Sequence, residues 1–206
     1  MTKKGYVMTR RSRNDAEPTP GVAPRLGGHI VLDLLNTVEY TDTGLVDHLS
    51  VAESVHHWLE ESGISIETPP RGIELVTAII DLREVVRTLV LHRLAGTSAN
   101  PAELNSYLEA AGGYWTLRWE TDAKAPQRKF VYKEMSIKTV LAPLAEAAAE
   151  LLAREDFSAV KRCANPECSR FFYDPSATSR RRWCDMSSCG NRMKVTAFRQ
   201  RQRPLL

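Results

Sequence analysis

Four cysteines in the last quarter of the chain are the residues best suited to chemistry. Cys163, Cys168, Cys184 and Cys189 are the only cysteines among 206 residues, and their spacing is C-x4-C-x15-C-x4-C. Each x4 loop is short enough to bring its two sulfurs to one point. Four thiolates at the corners of a tetrahedron suit a structural zinc ion, and a closed shell leaves no position for a substrate. The pattern therefore predicts a structural metal centre and favours recognition over catalysis.

The redox environment decides between a metal site and two disulfides. Residues 1–24 carry five basic residues but lack the apolar core of a secretory signal. No apolar run approaches the roughly 20 residues that a membrane span needs. We therefore expect a cytoplasmic location, where clustered cysteines bind metal more often than they form disulfides. Zinc is the prediction, and two disulfides are the alternative.

Positive charge is concentrated around and after the cysteines. Residues 161–206 contain eleven basic and three acidic residues, a net charge of +8, while the remaining 17 basic and 22 acidic residues give −5. A split this large favours a polyanionic partner for the basic end, and a solvated surface is the plainer alternative. The expected nucleic-acid contacts are Arg180, Arg181, Arg182, Arg192, Lys194, Arg199 and Arg203.

The segment after the last cysteine predicts a final helix with two distinct faces. At 100° per residue, Arg192, Arg199 and Arg203 fall within about 40° of one another and form an outward stripe. The neighbouring face holds Asn191, Val195 and Phe198, and we expect it to pack on the zinc hairpin. Asn191 would then fix a loop carbonyl or a ligand sulfur rather than contact a partner.

The region before the cysteines reads as mainly helical, with one change of period. Apolar spacing predicts helices over His29–Tyr40, around Val55–Leu59, over about Gly72–Leu94, after Asn100-Pro101 and over Thr139–Arg154. Alternation of apolar and polar residues predicts a β-hairpin from Tyr114–Glu120 and Phe130–Glu134. In the cysteine region, Arg170–Tyr173 is predicted as a strand, with Arg180–Trp183 returning beside it.

The helical region offers no catalytic set. The five histidines are scattered or, at His56-His57, adjacent and about 100° apart, and no phosphate-loop, GxGxxG, GxSxG or HExxH pattern occurs. We therefore predict that the protein is not an enzyme. Asp33 and Asn36 lie one turn apart in an apolar helix and share a side. They are candidate ligand contacts, and bracing of nearby backbone is the alternative.

Two segments resemble a known family. Arg182-Trp183-Cys184 and Cys189-Gly190-Asn191-Arg192, with the x4 loops, are similar to the zinc finger named for its CGNR motif. The upstream Gly27-Gly28-His-Ile-Val-Leu-Asp33-Leu-Leu-Asn36-Thr37 resembles the opening of the ABATE domain found N-terminal to that finger. The resemblance covers nearly all of the chain beyond residue 24. It implies the four cysteines as metal ligands and a bacterial stress-response regulator of transcription whose finger binds DNA.

These observations together predict an architecture and a function. We expect a disordered leader over 1–24, a mainly α domain with a β-hairpin over 25–156, and a small treble-clef or ribbon-like zinc finger ending in a helix over 157–206. The expected function is DNA-binding transcription regulation in the cytoplasm or nucleoid, with the helical domain sensing a signal or forming a homodimer. Two alternatives remain: an RNA-binding protein that stacks bases on Phe171, Tyr173 or Trp183, and a protein-interaction adaptor scaffolded by zinc.

Overall fold

The structure, a computed structural model, describes residues 25–41, 44–64, 72–119, 124–154 and 156–202, so the predicted leader lies outside it. The helices are α1 (Ile30–Leu35), α2 (Ala52–Glu61), α3 (Ile73–Leu94), α4 (Ala102–Ala110), α5 (Ile137–Leu152) and α6 (Asn191–Gln202). A π-helical turn, Met186–Gly190, precedes α6. The strands are β1 (Val38–Thr41), β2 (Gly44–Asp47), β3 (Gly113–Arg118), β4 (Gln127–Tyr132), β5 (Val160–Arg162) and β6 (Phe171–Tyr173).

The main core forms around α3, which packs against α1, α2, α4 and α5. Its predicted stripe is confirmed, because Leu75, Val76, Ile79, Leu82, Val86 and Leu89 are all buried. The helix ends where Gly96 adopts a φ of 69°, a left-handed conformation that glycine tolerates best. α5 supplies the opposite wall of the core and contains Pro143 within the helix. Among the described residues, no helix is both long and apolar enough to cross a membrane.

The predicted helix over His29–Tyr40 is wrong in its second half. α1 ends at Leu35, and Val38–Thr41 instead pairs antiparallel with Gly44–Asp47. A buried arginine that the apolar pattern did not single out secures this hairpin. Arg83 on α3 donates to both carboxylate oxygens of Asp47, at 2.8 and 2.7 Å, and to the hydroxyl of Thr37 at 2.9 Å. The bidentate pair fixes the hairpin geometry.

The second hairpin is confirmed. β3 and β4 pair antiparallel, from Gly113 opposite Tyr132 to Arg118 opposite Gln127. Gly113 is required at its position because an added Cβ would lie 2.6 Å from the ring of Phe130. None of the strand residues is buried, so this ribbon lies at the surface.

The third hairpin differs from the prediction in its partner strand. Phe171–Tyr173 pairs with Val160–Arg162, not with Arg180–Trp183. Adjacent side chains on β6 point to opposite sides: Phe171 belongs to the core of the helical domain, and Phe172 packs with the cysteines. The fold class is confirmed as mainly helical with small hairpins, a four-cysteine cluster and a final helix.

Candidate metal centre and basic surface

The four cysteine sulfurs converge on one point. All four lie within 4.8 Å of one another, and the Cys168–Cys184 and Cys184–Cys189 sulfur pairs are 3.8 and 3.7 Å apart. Four sulfurs bonded to one zinc ion at about 2.3 Å sit about 3.8 Å apart at the corners of a tetrahedron. A disulfide would need about 2.05 Å, and all four cysteines are free. The residues therefore fit a tetrahedral metal ion, and the two-disulfide alternative is not found.

The first loop is stabilised by Asn165, a buried residue that local sequence patterns mark only as part of a turn. Its amide nitrogen donates to the sulfur of Cys189 at 3.5 Å, and its carbonyl oxygen accepts from the backbone of Glu167 at 3.2 Å. The amide thus ties the first loop to a ligand in the second. Its signal in the sequence was the Asn-Pro step between two cysteines.

The second loop is a capped turn that leads into α6. The carboxylate of Asp185 accepts from the hydroxyl of Ser187 and from the backbone of Ser188, the latter at 2.8 Å. These hydrogen bonds lower the pKa of Asp185. Gly190 is buried against Met186, and a Cβ there would lie 2.5 Å from the methionine sulfur. Asn191, predicted to fix a loop carbonyl or a sulfur, donates to the carbonyl of Ser187 at 3.0 Å.

Burial and the closeness of the sulfurs shift the pKa values of three of the four cysteines. The hydrogen bond from Cys184 lowers the pKa of Cys168 to about 5. The same hydrogen bond and burial raise the pKa of the Cys184 thiol. Burial also raises the pKa of Cys163. The cluster therefore does not hold four thiolates by itself, and a bound cation would supply the charge that makes all four ionise.

The chain between the two cysteine pairs is anchored by Asp174, which is buried. Its carboxylate accepts from the hydroxyl of Ser176 at 2.7 Å, from Lys161 at 3.1 Å and from the backbone of Arg181 at 3.0 Å. These contacts, with that of Ser176 the strongest, hold the pKa of Asp174 well below its usual range. Lys161 also donates to the carbonyl of Ser179. One carboxylate thus organises the linker that carries Arg180–Arg182.

The predicted nucleic-acid contacts that lie among the described residues are all exposed: Arg180, Arg181, Arg182, Arg192, Lys194 and Arg199. Arg181 also makes contacts within the finger: its guanidinium lies 4.5 Å from the ring centroid of Phe172 and donates to the carbonyls of Trp183 and Cys184.

Arg192 and Arg203 complete the predicted set. Arg192 pairs with Glu167 at 3.7 Å in an exposed ion pair, a type that contributes little to stability. Arg203 lies outside the described residues.

The face of α6 that was expected to pack on the finger does not do so. Val195 is 47% exposed and Phe198 is 57% exposed, and no residue of the helix is buried. Within the described chain, α6 packs mainly on the π-helical turn that precedes it. The helix therefore projects from the finger, and the prediction failed because the finger is too small to cover a twelve-residue helix.

The candidate ligand residues of α1 are used inside the protein. The amide of Asn36, which is fully buried, donates to the carbonyl of Phe171 and accepts from its backbone nitrogen, both at 2.8 Å. Asp33 accepts from the backbone of Gly27 at 2.7 Å, and burial raises its pKa to about 6. A Cβ on Gly27 would lie 2.8 Å from this carboxylate. These contacts favour backbone bracing over the ligand-contact hypothesis.

The aromatic residues proposed for base stacking are largely enclosed. Phe171 is buried, and Tyr173 and Trp183 are half-buried. Arg154 lies 5.6 Å from the ring centroid of Tyr173, and Arg182 lies 5.3 Å from that of Trp183. Packing in the core of the helical domain, rather than stacking on RNA, accounts for the position of Phe171.

An ionic link that sequence reasoning missed joins the first hairpin to the finger. Arg170 pairs with Glu39, whose other oxygen lies 3.0 Å from His48. Burial opposes the charge of Arg170, but the carboxylate of Glu39 and the nearby sulfurs of Cys184 and Cys168 raise its pKa above the usual value. Local sequence patterns give no signal for this contact, because the two residues are 131 positions apart.

Comparisons with known proteins agree with the two-part architecture. A family model described as "ABATE: Putative stress-induced transcription regulator" matches residues 28–155. A second, described as "CGNR zinc finger", matches residues 159–202. No curated protein matches the chain.

Proposed function

The chain belongs to the ABATE family and ends in a CGNR zinc finger, and we propose that it regulates transcription by binding duplex DNA through the finger and α6. The finger's metal is proposed to be zinc, held by Cys163, Cys168, Cys184 and Cys189. Its role is structural, because four protein ligands complete a tetrahedral shell. The protein is proposed to act as a binding protein, without a catalytic activity of its own.

The observation that carries the proposal is the charge of an exposed helix. α6 contains Arg192, Lys194, Arg199 and Arg201 and no carboxylate. Because no residue of α6 is buried, the helix can approach a partner along its length. An α-helix fits the major groove of B-DNA, where arginine and lysine contact phosphates and guanine edges. Val195 and Phe198 add an apolar strip suited to thymine methyl groups.

The linker between the cysteine pairs extends this basic surface. Asp174 anchors the linker, and Arg180 and Arg182 are exposed on it. With Lys194, Arg199 and Arg201 they give five exposed cations. Neutralising about five phosphates predicts a slope of about −4.5 for log binding constant against log salt concentration.

The test measures binding of the zinc-loaded protein to labelled duplex DNA at 50 and 200 mM salt. The variant Lys194→Glu with Arg199→Glu should weaken binding by more than tenfold and make the salt slope about 2 units less negative. The control is Lys133→Glu, an exposed lysine after the β3–β4 hairpin, which should leave duplex binding unchanged. Bound zinc should be equal in all three proteins.

Two results would contradict the proposal. One is binding that does not respond to salt, and the other is full affinity in the double charge-reversal variant. A protein-interaction adaptor would instead show no affinity for DNA at 50 mM salt. Selection of bound fragments from sheared genomic DNA, with Cys168→Ser as the control, would identify the target sequence.

A further inference from the structure

The β3–β4 hairpin carries an ordered aromatic surface far from the finger in sequence. Trp115 meets Phe130 edge-to-face with ring centroids 5.1 Å apart, and Phe130 meets Tyr132 in the same way at 5.0 Å. Leu117 lies opposite Arg128 in the register, and Trp119 continues the alternation just beyond the strand. We call this the aromatic face; its members are Trp115, Leu117, Trp119, Arg128, Phe130 and Tyr132.

Much of this face is open to solvent. Trp115 is 55% exposed, and Leu117 and Trp119 are each 71% exposed. Within the described chain, β3 and β4 pack mainly on each other. A two-stranded ribbon alone is only marginally stable in water. Large apolar side chains grouped on the surface mark an interaction site, whereas scattered ones need no explanation.

The charge of the hairpin narrows the class of partner. Its described residues, 113–119 and 124–132, carry Arg118, Lys124, Arg128 and Lys129 and no carboxylate. The connecting residues contribute Glu120 and Asp122 by sequence, so residues 113–132 still carry a net charge of +2. Cations on both faces of a ribbon, with the acidic residues confined to its connection, are complementary to a polyanion.

The arrangement of rings and arginine fits a polyanion that has flat, unpaired bases. The guanidinium of Arg128 lies 3.8 Å from the ring centroid of Trp115, so one side of that ring already stacks a planar cation. Exposed aromatic rings beside arginine stack successive bases in proteins that bind single strands. In a duplex the base faces are stacked on one another and are not accessible to such rings.

We propose that the aromatic face of the β3–β4 hairpin binds single-stranded nucleic acid. Trp115 and Trp119 stack on bases, while Arg128 and the neighbouring cations contact phosphates. This surface is separate from the finger and does not depend on the proposed duplex-binding function. A second copy of the chain fits less well, because a two-fold contact would place two identical faces together, each with a net positive charge.

The test uses the full-length, zinc-loaded protein and two labelled probes, a 20-mer of thymidylate and a 20-mer of uridylate. Trp119→Ser should weaken binding to the preferred probe by about tenfold. Arg128→Gln should weaken it and make the salt slope about 0.7 units less negative. Tyr114→Ser is the matched control, because Tyr114 is 56% exposed on the opposite face of the same strand. A preference between the probes shows whether the strand is DNA or RNA.

Measurements on duplex DNA separate this proposal from the previous one. Trp119→Ser should retain duplex affinity, and the α6 charge-reversal variant should retain single-strand affinity. Duplex binding with no single-strand binding by the wild type would overturn the hairpin proposal and leave the finger proposal standing. Unchanged single-strand affinity in Trp119→Ser would also overturn it. The proposal would likewise be overturned if Trp119→Ser kept its single-strand affinity and only changed from a dimer to a monomer in sedimentation.

Discussion

Asn165 is the side chain that most directly supports the sulfur cluster without being one of the four ligands. It is buried and donates to the sulfur of Cys189, whereas Asn191 is exposed and contacts only the carbonyl of Ser187. A hydrogen bond to a ligand sulfur stabilises its negative charge and orients it toward the metal. The two asparagines therefore differ in what they do for the metal site.

Replacing each asparagine tests this difference. Asn165→Ala should lower zinc affinity by about 10–100-fold, because it removes a donor to a ligand sulfur. Asn191→Ala should have a smaller effect, because only a loop carbonyl loses its partner. Competition with a zinc-binding dye at pH 7 measures both affinities. Equal affinities for the two variants would contradict the distinction.

Asp33 predicts a specific dependence of stability on pH. Burial raises its folded pKa to about 6, although the amide of Gly27 and the charge of Arg25 lower it. The unfolded value is about 3.9, so the folded state holds a proton that the unfolded state releases between about pH 4 and 6. The stabilisation is complete below about pH 4 and is lost as the pH rises through 6.

Asp33→Asn should remove this dependence. The unfolding free energy of the wild type relative to the variant should fall by about 2 kcal/mol between pH 4 and pH 7. Urea denaturation across that range provides the measurement. Glu53→Gln, which changes an exposed carboxylate on α2, is the control and should show no such trend. Parallel pH profiles for wild type and Asp33→Asn would rule out the buried carboxylate as the cause.

At the scale of elements, β6 lies between the helical core and the cysteine cluster and contacts both. Phe171 packs in the helical core and Phe172 packs against the cysteines, and Asn36, just after α1, hydrogen-bonds the backbone of Phe171 twice. The backbone of Tyr173 also donates to the carbonyl of Gly27. A three-residue strand thereby ties the N-terminal domain to the finger.

Replacing each phenylalanine by alanine should affect a different region, the helical domain for Phe171 and the metal site for Phe172. Phe171→Ala should lower the unfolding free energy of the helical domain by about 3–5 kcal/mol. Phe172→Ala should mainly weaken zinc binding, because its ring packs against the cysteines and under Arg181. Chemical denaturation and zinc titration of both variants check the assignment. If both variants lost stability and zinc affinity to the same extent, the two phenylalanines would not act on separate regions.

The elements also show what the sequence could predict and why the rest was out of reach. Local signals sufficed for the α3 stripe, the β3–β4 hairpin and the cysteine loops, since spacing and turn residues are properties of neighbouring positions. The β1–β2 hairpin was missed because Val38 continues the helical spacing of α1, whereas the strands are fixed by distant residues such as Arg83. The partner of β6 was likewise set by Asn36 and the core, which no local pattern reveals.

At the scale of the whole molecule, the finger is joined to the helical domain by several independent contacts. Arg170 pairs with Glu39 on β1, Arg154 donates to the hydroxyl of Tyr173, and Arg87 on α3 lies 6.0 Å from the ring centroid of Phe171. A domain boundary drawn from charge and cysteine spacing does not show this coupling. These contacts connect the helical domain to the cysteine loops through β6.

This coupling predicts that removing the metal destabilises more than the finger. Zinc contributes roughly 10–16 kcal/mol to folding of small zinc modules, so chelation should unfold the finger and release β6. Loss of the Phe171 packing and its two hydrogen bonds should lower the stability of the helical domain by at least about 3 kcal/mol. That corresponds to a fall of about 6–12 °C in the melting temperature followed by circular dichroism at 222 nm.

The control is Cys168→Ser with Cys184→Ser, which should melt at the lower temperature and show no response to chelator. If chelation left the main helical transition in place, the helical domain would not depend on β6 and the two units would fold independently.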